Sequence, residues 1–125
     1  GLILPVLDIY VEYGIDGCNP LEPRYNDARE FVDRFGDKLM LYGGGDNCSI
    51  IPDGSVDDVR AHVRSQFDTL GKRGRFIFST HDIPSHCPQE NLDAMVETIR
   101  ECSYLFASVD MLKLIGAASE VGRYG

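Results

Sequence analysis

Lys38-Leu39-Met40-Leu41-Tyr42, running into Gly43-Gly44-Gly45-Asp46, and Phe76-Ile77-Phe78-Ser79-Thr80, running into His81-Asp82, decide the fold. Both runs are short and apolar through their centres. Neither shows the apolar–polar alternation of a strand with one wet face, so both read as parallel strands covered on two sides. A helix follows each. Ser55 caps the first, with Asp58 three positions on in an Asp version of the capping box. Val56, Val59, Val63, Phe67 and Leu70 form its buried stripe, and Gly71 closes it. Pro88 suits the first turn of the second helix, where Leu92, Met95, Val96, Ile99 and Cys102 share one face.

The same unit stands once more upstream. Ile15–Cys18 is a short strand broken by Asn19-Pro20. Asn26 can cap a helix that runs to about Phe35, with Ala28, Phe31, Val32 and Phe35 on one face and Gly36-Asp37 as its end. Before it, the apolar stretch Gly1–Tyr13 reads as a buried helix stopped by Gly14. The order is a helix, then strand–helix three times, which indicates βα units and a parallel sheet.

Three parallel strands cannot close a barrel, and a sheet covered on one face would leave apolar residues wet. A (β/α)8 barrel takes about 250 residues; this chain has 125. The fold expected is therefore α/β, the C-terminal portion of a TIM (β/α)8 barrel, in about three βα units over residues 1–104. Residues 105–125 form an unassigned tail that extends the last helix and then frays. A small doubly wound sheet is the alternative. The chain begins at Gly1 without Met, in an apolar segment, and is expected to be truncated at its N-terminus.

Charge narrows the partners. Twelve Lys and Arg against twenty Asp and Glu leave a net charge of −8, which disfavours nucleic acid and anionic membrane surfaces. No stretch of about 18 apolar residues exists, so no membrane span is expected. Cys18, Cys48, Cys87 and Cys102 are too few for a disulfide framework and read as reduced thiols in the cytoplasm.

Chemistry in parallel α/β proteins gathers at the C-terminal ends of strands. Those ends carry Cys18-Asn19-Pro20, Tyr42 to Cys48, and Ser79 to Asp82. His81 closes an apolar strand in a polar turn, where an imidazole can act on a ligand or merely pack; Asp82 could orient it or start the turn. The glycine run lacks the spacing of a dinucleotide fingerprint. It can supply positive φ, or clear space for a bulky substrate. His62 lies in a helix and reads as surface or packing, and His86 as a solvated loop residue. Cys48, His81, His86 and Cys87 match no closed zinc pattern, and no hydrolase triad or nucleophile elbow is present. Cys102 reads as a small hydrophobe.

Several of these segments together resemble the C-terminal region of the uroporphyrinogen decarboxylase family. They are Tyr42-Gly-Gly-Gly-Asp46, Ile51-Pro-Asp-Gly-Ser-Val-Asp-Asp-Val-Arg60, Phe76-Ile-Phe-Ser-Thr-His-Asp-Ile83 and Pro88-Gln-Glu-Asn-Leu-Asp-Ala-Met95, with Gly14 to Leu21 resembling the preceding strand. The likeness covers about Gly1–Tyr104, and its best marker is the His81-Asp-Ile to Pro88-x-Glu-Asn91 run.

The resemblance implies a (β/α)8 barrel with a cleft at the strand ends. It implies cofactor-free and metal-free removal of carboxyl groups from the acetate side chains of a tetrapyrrole in porphyrin and haem synthesis, so the partner is a small organic acid. The family's key aspartate and carboxylate-binding arginines lie in its N-terminal half. Its histidine after the last strand falls on His81, the catalytic candidate, which would touch the substrate and help hold it. Gly43, Gly44 and Asp46 are the other substrate-binding candidates. Related zinc-dependent methyltransferases, which move methyl groups from methyl-corrinoids to a thiol, carry His-x-Cys where this chain has Tyr42 and Gly44; that departure weakens methyl transfer as an alternative. A third reading is a non-catalytic, incomplete barrel that docks on a partner or on itself as a homo-oligomer. It predicts free sheet edges and exposed apolar surface.

Overall fold

The computed structural model describes residues 1–103; the expected tail, and any extension of the last helix into it, lie outside the described residues. Three strands, β1 (Gly17–Leu21), β2 (Met40–Gly44) and β3 (Phe76–Ser79), form a parallel sheet in the order β1-β2-β3. Helices α1 (Leu7–Glu12), α2 (Ala28–Phe35), α3 (Ile50–Asp53), α4 (Val56–Leu70) and α5 (89–103) alternate with them. The chain is thus the α/β arrangement that its strand–helix rhythm predicts.

Helix α4 forms where its local signals place it. Ser55 Oγ accepts the Asp58 amide at 3.2 Å, and Asp58 Oδ2 accepts the Ser55 amide at 2.9 Å. The two orphan donors of the first turn are satisfied reciprocally. Val59, Val63, Phe67 and Leu70 are buried, and His62 is buried beside them. Val59, Val63 and Phe67 pack on Phe78 from β3 and on Ala94, Met95 and Cys102 from α5, while Leu70 joins the cluster on the other side. A second cluster joins Leu4 and Leu7 to Cys18, Leu21, Phe31, Phe35 and Leu41.

Four local readings are corrected. Gly1–Tyr13 is not a buried helix: Pro5 opens a 3-10 turn over Leu4–Val6, α1 follows, and Leu2, Val6 and Ile9 are exposed. The first strand runs to Leu21 through a cis Asn19–Pro20 bond. Proline lacks a donor but is tolerated on an edge strand, and β1 is at the edge. Helix α2 is capped by Asp27, whose Oδ1 accepts the Arg29 and Glu30 amides. Asn26 is buried instead, and it pins the N-terminal segment through Ile3, Leu4 and Gly1. In α5 the deep positions are Asn91, Ala94, Met95, Thr98 and Cys102, while Val96 is 41% exposed.

The sheet has one buried and one open face despite the continuous apolar sequence of its strands. Cys18, Leu21, Leu41 and Phe78 face the helices. On the opposite face Met40 is 43%, Tyr42 39% and Ile77 43% exposed, with Tyr42 beside Ile77 in register. Among the described residues nothing covers this apolar face, and one edge each of β1 and β3 is unpaired. No helix among the described residues is long and apolar enough to cross a membrane.

Candidate functional site

All three strands point the same way, so the segments after β1, β2 and β3 share one rim. The exit from β2 requires its glycines. Gly43 has φ +149° and Gly44 φ +87°, and a Cβ on Gly43 would sit 2.6 Å from the Leu21 amide nitrogen of β1. Gly45 gives its amide to the Ser79 carbonyl at 3.0 Å. The glycine run therefore lets the exit from β2 lie directly against both neighbouring strands.

Asp46 organises the loop that follows. Its carboxylate accepts the Cys48 and Ser49 amides, each at 3.0 Å, and the Ser49 hydroxyl at 2.8 Å. Partial burial pushes the carboxyl up, but these hydrogen bonds outweigh it and hold Asp46 below the usual carboxylate range. Its carbonyl accepts the Ile51 amide at 3.0 Å. Its own amide donates to His62 Nε2 at 3.1 Å. His62 is thus an acceptor at Nε2, with its proton on Nδ1. Burial holds its pKa below the ordinary histidine value, against the opposing pull of Asp46 and the Gly44 carbonyl.

His81 lies exposed two residues past β3. Its imidazole makes no hydrogen bond or ion pair with another described residue. Asp82 does not orient it; the Asp82 carboxylate accepts from Asn47 Nδ2 and ties the third loop to the second. The structure therefore brings Gly43, Gly44, Asp46 and His81 to one rim, with Asp46 half-buried and His81 open to solvent.

The other candidates separate. His86 pairs with Asp53 at 3.5 Å, both exposed. Cys48 is exposed, and Cys87 is half-buried against the Ile51 carbonyl. Burial raises the Cys87 thiol, aided by Asp53, and pushes Cys18 up to about 11. Among the described residues no three His, Cys, Asp or Glu side chains are grouped to hold a metal ion. Cys102 is buried as a hydrophobe in the helix layer.

His62, expected at the surface or in packing, is a buried clamp on the β2 exit loop. The signal was present. Positions 59, 62, 63, 67 and 70 recur at helical spacing, so His62 falls on the apolar stripe itself.

Residues 5–102, most of the chain, match the family model described as uroporphyrinogen decarboxylase (URO-D). No curated protein and no solved structure matches.

Proposed function

This chain belongs to the uroporphyrinogen decarboxylase family, and from that premise we propose that it supplies the last three βα units of a (β/α)8 barrel. That barrel acts as a carboxy-lyase on the acetate groups of a tetrapyrrole. The observation that carries the reading is an open apolar sheet face with an exposed imidazole at its rim. Met40, Tyr42 and Ile77 turn away from every described helix. In a barrel that face is the packed interior, and the C-terminal rim holds the chemistry. Sequential strand order, parallel pairing and helices on one face make an arc of such a ring.

In the proposed reaction a protonated pyrrole accepts the electron pair as CO2 leaves, a proton then takes the place of the carboxyl group, and the ring gives up the proton it had gained. The protein's task is to hold a large polyanion in register. His81 touches the substrate. Gly43 and Gly44 keep the rim clear of side chains, and Asp46 fixes the loop beside it, since its carboxylate already accepts three hydrogen bonds. Arg24, exposed on the segment after β1, offers a cation on that rim. Arg73 and Arg75 lie before β3, at the other end of the sheet.

The test is a mass-spectrometric assay of stepwise CO2 loss from uroporphyrinogen by the complete barrel. His81→Ala should lower kcat/KM by about 1–3 kcal/mol, or roughly 5- to 150-fold. Undiminished turnover would remove His81 from the site, and no CO2 loss in the parent would remove the substrate.

A further inference from the structure

We propose that His62 is a positioning residue for His81, acting through the exit loop of β2. The inference rests on the reading of His81 as a substrate contact, and it concerns how that contact is held in place.

The His81 imidazole has no side-chain partner among the described residues, so its place is set by its backbone. That backbone is tied on both sides to one loop. Two residues before it, the Ser79 carbonyl accepts the Gly45 amide at 3.0 Å. One residue after it, the Asp82 carboxylate accepts from Asn47 Nδ2. The loop carrying Gly45 and Asn47 turns on Asp46, whose carboxylate and carbonyl are satisfied within residues 46–51. The Asp46 amide is its one polar group held from outside the loop, and His62 Nε2 holds it at 3.1 Å.

His62 is itself rigid. It is 8% exposed on a four-turn helix, and its ring meets Phe78 edge-on with centroids 6.4 Å apart. Phe78 belongs to β3, so His62 touches both the loop and the strand that delivers His81. Without an acceptor at this point the Asp46 amide is left unpaired in a half-buried position, a cost that the loop relieves by shifting. The geometry needs an acceptor at Nε2, not merely an aromatic ring.

NMR of the full chain tests this with three variants. His62→Phe keeps the ring and removes the acceptor; the Asp46 amide should exchange roughly five- to tenfold faster, and the His81 ring and amide resonances should move. His62→Gln restores an acceptor and should return both signals toward their original positions. Asn47→Ala, at a half-buried loop position, should move the His81 resonances while Asp46 keeps its protection. If His62→Phe does not fold, the Gln and Asn47→Ala variants decide the matter by the same expectations. His81 resonances unchanged in Asn47→Ala, or unrescued by His62→Gln, would overturn the proposal. These spectra report position and not turnover. A His81 that follows the loop but is dispensable for CO2 loss would remove His81 from the proposed site and leave the coupling standing.

Discussion

Substituting alanine for Gly43 should be among the most damaging single-methyl changes in the chain, because two costs coincide there. The first is conformational. Gly43 sits at φ +149°, a region that L-residues avoid at about 1–3 kcal/mol. The second is steric. The new Cβ would lie 2.6 Å from the Leu21 amide nitrogen and 2.8 Å from its carbonyl oxygen, both backbone atoms of β1 that cannot move without opening the sheet. Overpacking of this kind adds about 1–3 kcal/mol. The sum, about 4 kcal/mol, is a large share of the roughly 5–15 kcal/mol that holds a small domain together. Gly74 is the control: its φ is +72°, but nothing lies within 4 Å of a Cβ there. Gly44 falls between them, at φ +87° with Leu70 Cδ1 at 3.2 Å and Phe76 Cζ at 3.3 Å, both ends of side chains that can yield. Each change also restricts the unfolded chain equally, so that term cancels in the comparison. Urea unfolding followed by circular dichroism gives the three midpoints. The expected order of damage is Gly43→Ala, then Gly44→Ala, then Gly74→Ala. A Gly43→Ala loss within about 0.5 kcal/mol of the Gly74→Ala loss would refute the close strand approach.

Three further outcomes follow from the same structure. Asn91 is 1% exposed and donates to the Ile51 and Gly54 carbonyls, each at 2.9 Å; Asn91→Ala should cost about 2–4 kcal/mol in thermal unfolding. Ser55→Ala removes one half of the α4 capping box and should cost about 1 kcal/mol, read as a lower urea midpoint. His62 has a folded pKa below its ordinary value of 6.5, so its contribution to stability is complete above that pH. On acidification the unfolded chain takes the proton first, and the contribution is lost as pH falls from 6.5 through the folded value. Urea midpoints at pH 7.5 and 5.5 should therefore converge in His62→Gln relative to the parent, and equal pH dependence in both would contradict the assignment.

Local signals carried most of the fold. The capping box at Ser55, the stripe of α4 and the glycine stop at Gly71 involve residues within one or two turns of each other, and each stands where the sequence places it. Two features misled because their meaning is set at a distance. The α5 face turns on Asn91 and Thr98, polar residues whose partners are the Ile51, Gly54 and Ala94 carbonyls; a search for apolar spacing slides past them and selects Val96. Pro20 reads as a breaker until β1 is known to lie at a sheet edge. The candidate site was legible as a set of strand ends. Its wiring was not, since Asp46 meets His62 across sixteen residues and Asn47 meets Asp82 across thirty-five.

The continuous apolar sequence of β2 and β3 was the other informative tension. It predicts cover on both faces, and among the described residues only one face has it. Leaving Met40, Tyr42 and Ile77 wet forgoes hydrophobic stabilisation of about 25 cal/mol for each square ångström of apolar surface. The closed ring of strands proposed above would recover that area and place the rim loops around a common centre.

The central claim is tested most directly by a crystal structure of the proposed barrel with a tetrapyrrole carboxylate bound. Met40, Tyr42 and Ile77 should lie inside a ring of parallel strands, with the His81 imidazole within hydrogen-bond reach of the ligand. A helix lying across that sheet face, or a ligand bound away from His81, would contradict it.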